Sequence, residues 1–463
     1  MSETKQSERY VFNGINGLTG EPLLPPMELE ELEELFEPPL DSGASEPQGK
    51  SLGLGFGMDP AQLDSVGWTI VFAHDESEEV RRALEPLIEH RRADGGIVRV
   101  LTAEPDEGFG AFMDRHGVYA GEITPENIGY YLLIVGPPER IGWEFQFHAD
   151  IEYAVGRLAF STPDEYARYA SSIIKAETEA DLARDKQLIY WGPRHDRATE
   201  LSHDELLLPL IAGEAHEGRK PRPAIATQLK WESSSFLDAE ATKANFLAAL
   251  ERRPALLFTA SHGIGGFRAG TEEQLARQGA LLSADWGGPG SMAPTDYVAA
   301  ADIPDELQLG GMIAFHFACY GAGTPERDSF RHREGRLPPR LAKPEFVAAL
   351  PMRMLAHPQG SALAVIAHVD RAWGSSFHDS SGRHIGPFRT ALGLMMTGQA
   401  VGHSVKNFND RYAVLSNQVT SLLEKRGYGQ EIDAIELARA WLGRNDAQNY
   451  VVLGDPFARL SLK

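Results

Sequence analysis

The sequence predicts an α/β protein built on mainly parallel sheet, and three observations carry that expectation. Short apolar runs at 68–73, 130–135 and 312–318 are stopped by small residues or glycine, as buried parallel strands are. Amphipathic stretches such as 78–92 alternate with these runs, the order that winds strands side by side through crossover helices. Two runs also end on reactive side chains. Residues 255–260 lead into Ser261-His262-Gly263, and 312–318 lead into Cys319-Tyr320-Gly321. Reacting groups of open α/β sheets gather where the carboxyl ends of strands emerge.

A chain of 463 residues has room for two or three domains, and 42% hydrophobic with 24% charged residues is an ordinary globular composition. Cys319 is the single cysteine, so no internal disulfide can form. The start carries no apolar stretch of signal-peptide type, and no run reaches the roughly 18 apolar residues of a membrane span. A cytoplasmic location is expected. Lys and Arg number 44 against 66 Asp and Glu, a net charge of −22. That excess argues against a general nucleic-acid binder, whose affinity rests on neutralising phosphates. It suits basic substrates, and it equally suits simple solubility.

In chain order, residues 1–66 read as an accessory segment and linker. Leu29, Leu32, Leu35 and Phe36 fall at helical spacing between Pro25-Pro26 and Pro38-Pro39. Two readings are open: a solvated helix packed on the body, or a detachable or partner-binding segment that controls access to the site. Residues 41–57 are rich in Gly, Ser and Pro and read as linker.

Residues 67–180 form a first α/β unit, with strands at 68–73, 97–101 and 130–135. Ser77 is placed to cap the helix 78–92, and Thr162 to cap a long helix opened by Pro163. His74, Asp75, His116 and His148 are scattered, so no nucleophile converges there. Residues 187–463 repeat the theme. Strands are expected at 187–191 and 224–229, then the His262 and Cys319 strands, 361–367 and 450–453. Helices are expected from Ser202, weakening at Pro209, and over 238–251 with Asp238 as cap. Two similar halves emerge, with chemistry only in the second.

Hydrolysing an amide needs a nucleophile, a proton for the leaving amine and donors for the oxyanion. Cys319 and His262 supply the first two. The N–H of Gly263, next to the histidine, and those of the turn after Cys319 are candidates for the third. On spacing alone a bland alternative stands beside this: Cys319 as a small core residue and His262 as a hydrogen-bonded strand end. His316 lies three residues before Cys319, faces the opposite side of a regular strand, and reads as core. Histidines are dispersed, with neither HExxH nor paired-cysteine spacing, so no metal and no cofactor are expected.

The strand-Ser261-His262-Gly263 and strand-Ala318-Cys319 pair resembles the motifs of caspase-like cysteine peptidases, closest to the gingipain family. Leu132-Leu-Ile-Val-Gly-Pro-Pro-Glu-Arg-Ile141, Tyr153-Ala-Val-Gly-Arg-Leu158 and Asn449-Tyr-Val-Val-Leu-Gly-Asp-Pro456 are similar to further stretches of that family. The likeness spans about residues 67–463. It implies a caspase-like (caspase–haemoglobinase) fold of two tandem α/β subdomains, 67–180 without chemistry and 187–463 catalytic. It also implies a Cys319–His262 dyad, with the N–H groups of Gly263 and Cys319 holding the oxyanion and no third residue required. Asp196 or Asp370 would read a basic residue before the cut, Arg194 an acidic one, and Trp373 would wall the pocket or fill core. The long charged loop 324–344 reads as an autoprocessing site, a gate or plain surface. The expectation is a cysteine endopeptidase cutting a protein or peptide substrate after Arg or Lys, with room for a regulatory protein partner. The alternatives are an inactive scaffold or binding module, a peptidase cutting after an acidic residue, and a thiol transferase or amidase.

Overall fold

The computed structural model of the chain describes residues 9–28, 54–93, 95–215, 220–331, 337–379 and 382–463. Its centre is a sheet of ten strands. In chain order these are β1 Trp68–Ala73, β2 Val98–Ala103, β3 Tyr131–Val135, β4 Ala154–Leu158 and β5 Gln187–Gly192. They continue with β6 Glu232–Leu237, β7 Leu256–Ala260, β8 Ile313–Phe317, β9 Ala364–His368 and β10 Tyr450–Gly454. Across the sheet the order is β2-β1-β3-β4-β10-β9-β8-β7-β5-β6. The sheet therefore runs unbroken through both stretches that the sequence separates.

Every pairing is parallel except one: β10 runs antiparallel to β9 and parallel to β4. That single reversal turns the two halves around, so the carboxyl ends of β1 to β4 point to one side of the sheet and those of β5 to β9 to the other. Parallel strands covered by helices are buried on both faces, which is why β1, β3, β7, β8 and β9 are continuous apolar runs. The closing Gly454-Asp455-Pro456 locks the halves together. Asp455 is fully buried and accepts from Trp68 Nε1 at 2.9 Å and from Arg91 Nε at 3.0 Å, while the Tyr169 hydroxyl donates to the Leu363 carbonyl at 2.7 Å.

Three local expectations fail for identifiable reasons. Residues 224–229, expected as a strand, hold the helix Ile225–Leu229, ended by Lys230 in the left-handed region at φ 59°. The sixth strand is instead the serine-rich edge β6, whose polar composition suits an edge and hid it from a hydrophobicity reading. Asp238, expected as a helix cap, sits at φ 51° as the first residue of the 3₁₀ turn Asp238–Glu240. The helix Lys243–Glu251 is capped by Thr242, whose hydroxyl accepts from the Asn245 N–H at 3.1 Å. The helix expected from Ser202 starts earlier, at Arg197, with Asp196 as its cap. Ser77 does cap its helix, accepting from the Val80 N–H at 3.2 Å. The helix expected around Leu29 to Phe36 and the tip of the 324–344 loop lie outside the described residues.

A small sheet sits over the end of β7 and β8. It is made of Tyr297–Val298, Leu281–Leu282, Gly263–Gly265 and, from the far N-terminal segment, Gly14–Asn16. Ile15, Ile264, Phe267, Leu282, Trp286 and Tyr297 form its own buried cluster.

Candidate active site

Strands β7 and β8 pair in parallel register, Ala260 opposite Phe317. Two residues further on, His262 and Cys319 therefore stand at the same height on neighbouring outlets of the sheet. The two segments then stay in contact through their backbones. A Cβ on Gly263 would lie 1.8 Å from the Cys319 carbonyl oxygen, so only glycine fits there. Gly263, expected from sequence as an N–H donor, must be glycine chiefly to leave room for Cys319.

Both side chains are buried, at 1% exposure for His262 and 0% for Cys319. His262 Nε2 lies 3.0 Å from each carboxylate oxygen of Asp196. A carboxylate can only accept, so Nε2 carries the proton and Nδ1 keeps its lone pair. Nδ1 has no hydrogen-bond partner in the structure. Asp196 is itself held by the helix it caps, accepting from the Thr199 N–H at 3.1 Å. Burial by itself would raise the Asp196 carboxyl, but the His262 imidazole and Thr199 outweigh it and hold the group well below the usual carboxylate range. The Cys319 sulfur accepts from the Ala372 N–H at 3.3 Å. Burial pushes its thiol far above the ordinary value, so in this state it is neutral and a poor nucleophile.

After Cys319 the backbone turns sharply, with Tyr320 at φ 58°. The turn's N–H groups are not all free: Tyr320 donates to the Asp370 carbonyl and Ala322 to the His368 carbonyl. The Cys319 N–H points the other way, alongside that of Gly263, and the two converge on one oxygen. That oxygen is the main-chain carbonyl of Asn13, at 2.9 Å from Gly263 N and 3.2 Å from Cys319 N. Sequence reasoning identified the two donors as candidates and missed the acceptor. The signal was faint: Asn13-Gly14 is an ordinary turn dipeptide in a segment whose clearest pattern is helical spacing elsewhere.

The four residues proposed for substrate recognition fare differently. Asp196 is engaged by His262, so its carboxylate already has a partner and is not a free pocket carboxylate. Asp370 is fully buried and accepts from the Ser329 N–H at 3.2 Å and hydroxyl at 2.8 Å, next to the Asp328–Arg371 ion pair. Burial raises its carboxyl, which is closed to an incoming basic side chain. Arg194 lies out at the surface, 3.3 Å from Asp204. Trp373 is buried at 1% exposure and stacks obliquely against Phe12, ring centres 5.3 Å apart, and Phe330. It packs as core. His316 faces away from the site, bonded to the Thr259 hydroxyl at 2.8 Å, and burial lowers it to about 4.

In outline this is an α/β protein with a buried thiol and an imidazole–carboxylate pair at one outlet of a mostly parallel sheet. Solved structures similar to it are proteases. One, described only as a protease, shares 11% identity at a TM-score of 0.49, covering 85% of this chain and 78% of that one. The Arg-specific cysteine proteinase gingipain R shares 14% at a TM-score of 0.45, covering 87% and 81%. A complex of the pro- and mature domains of the Porphyromonas gingivalis enzyme RgpB shares 14% at 0.44, covering 86% and 80%. No protein-family profile and no curated protein sequence matches the chain.

Proposed function

We propose that the chain is a cysteine endopeptidase. Cys319 attacks the substrate carbonyl carbon, and His262 Nδ1 takes the thiol proton and returns it to the departing amine. Asp196 fixes the imidazole tautomer and steadies its protonated form, as the third residue of such arrangements does. The N–H groups of Gly263 and Cys319 hold the oxyanion. The observation that carries this reading is the convergence of those two N–H groups, from the two strand ends that bear the histidine and the cysteine, on a single carbonyl oxygen. A substrate of extended backbone is favoured because an extended segment already fits the cleft. A basic residue before the cut, expected from sequence, finds no free carboxylate here, since Asp196 and Asp370 both have other partners.

The test is a fluorogenic peptide panel with Asn, Asp, Arg, Lys and Leu before the cut. Turnover should appear with the intact protein and vanish in Cys319→Ala and His262→Ala, while His316→Gln keeps it. Turnover that survives Cys319→Ala, or no turnover of any peptide together with a Cys319 that resists every thiol reagent, removes the proposal and leaves a binding module.

A further inference from the structure

Residues 10–16 cross the candidate site as a peptide substrate would. Before Asn13 the segment runs antiparallel to 372–374: the Asn13 N–H donates to the Ala372 carbonyl at 3.1 Å, and the Val11 carbonyl accepts from the Gly374 N–H at 3.0 Å. Phe12 faces Trp373 across this ladder. After Asn13, Gly14, Ile15 and Asn16 pair in parallel with Gly263, Ile264 and Gly265. Asn13 thus sits at the crossover, its carbonyl oxygen between the Gly263 and Cys319 N–H groups. Gly14 follows directly over the thiol, where a Cβ would come 3.2 Å from the sulfur.

The Asn13 side chain is fully buried in a socket of its own. Its Nδ2 donates to the Ser261 carbonyl at 3.2 Å and to the Ser202 hydroxyl at 3.4 Å. The Ser202 proton points back to its own helix, towards the Ala198 and Thr199 carbonyls, each at 3.2 Å, which leaves a lone pair facing Asn13. Both partners therefore accept. A carboxamide can donate to them; a carboxylate cannot, and would set one anionic oxygen against the Ser261 carbonyl. A guanidinium or ammonium finds no carboxylate among these contacts.

We propose that the Asn13–Gly14 peptide bond is the site's own first substrate: the chain cuts itself there, and the socket that holds Asn13 selects asparagine before the cut in other substrates. This rests on the peptidase reading above. The Cys319 sulfur bonds to the Asn13 carbonyl carbon as its proton passes to His262. The carbon–nitrogen bond to Gly14 then breaks, and the same proton goes to the new Gly14 amine. Water adds to the thioester, its proton passing through His262 back to the departing thiolate. The products are an Asn13 carboxylate, a Gly14 amine and the free thiol. Until the cut, residues 10–16 exclude other substrates and keep the thiol buried and neutral. Afterwards the stretch up to Asn13 is held by no covalent bond and can leave the cleft.

The experiment uses the full chain, followed by intact mass and amino-terminal sequencing and then offered the peptide panel. The wild type should yield a new terminus at Gly14. Cys319→Ala, and Asn13→Asp, whose carboxylate the socket refuses, should stay whole. Among peptides, asparagine should be preferred to aspartate by roughly 10⁴-fold, the scale on which a site built to hydrogen-bond a substrate N–H rejects an analogue lacking it, and arginine, which finds no carboxylate there, should be disfavoured as well. An active enzyme that prefers arginine or leucine and leaves Asn13–Gly14 intact overturns this inference while the peptidase reading survives. Cleavage of Asn13→Asp at the wild-type rate overturns the socket's selectivity. A protein that cuts neither itself nor any peptide overturns both.

Discussion

The two halves of the sheet are built alike and finished differently. In the first half, the ends of β1 and β3 are tied off by ion pairs and a buried cation. Arg140 reaches Asp75 and, at 2.9 Å, Glu76. Arg157, fully buried on β4, donates to Gln146 Oε1 at 2.8 Å and to the Gly136 carbonyl at 2.9 Å. At these ends the closing groups are the chain's own side chains. In the second half, the outlets of β7 and β8 carry an imidazole and a thiol, and what closes them is main chain from residues 10–16. A side chain that seals a strand end is permanent structure, whereas a backbone laid across it by hydrogen bonds can be cut or displaced. The reversal at β10 sends these two sets of outlets to opposite sides of the sheet, so the sealed half buttresses the other without sharing its cleft.

The largest test of that contrast removes the chemistry. Cys319→Ala or His262→Ala should lower peptide turnover by ~10⁴-fold or more, whereas His74→Ala and Asp75→Ala at the other outlets should leave it unchanged. Asp196→Asn comes next: kcat should fall by up to ~10⁴-fold with little change in KM, because the imidazole loses its tautomer control rather than its substrate contacts. The same variant keeps its helix cap, because asparagine accepts from the Thr199 N–H as aspartate does, so denaturant unfolding should change little. Glycine positions sharpen the comparison further. Gly263→Ala meets the Cys319 carbonyl and Gly156→Ala meets the Gly454 carbonyl, so both should destabilise by about 2–3 kcal/mol. Only the Gly263 variant should also lose kcat in its folded fraction.

The smallest effect on turnover accompanies a pH dependence of stability. His316 is lowered to about 4 from 6.5 by burial, so the folded state binds its proton later than the unfolded chain does. The stability it contributes is full above pH 6.5 and is lost as pH falls towards 4, a difference of about 3 kcal/mol. His316→Gln should flatten that part of the unfolding profile and leave turnover at neutral pH nearly intact.

Much of the fold could be read because burial on both faces writes a parallel strand as an unbroken apolar run. The strands at 68–73, 130–135, 312–318 and 361–367 announce themselves this way, and so do the glycines that stop them. Edge strand β6 did not, because one side of it faces water and serine serves there as well as valine. Within the site, the placement of His262 and Cys319 at the ends of neighbouring strands could be anticipated from two strands ending in reactive residues. The engagement of Asp196 by His262 could not, since the same residue looks equally like a helix cap or a pocket carboxylate until its neighbours are known.

The chain's own order of residues determined the strands, the helices between them, and the two outlets that bear an imidazole and a sulfur, because these depend on local patterning. Tertiary structure alone decided what comes back to those outlets from a distance. It brought Asp196 to the imidazole, turned the halves in opposite directions, and laid Asn13 between the Gly263 and Cys319 amides. Such contacts join residues far apart in sequence through backbone groups that every residue carries, so no side-chain pattern records them.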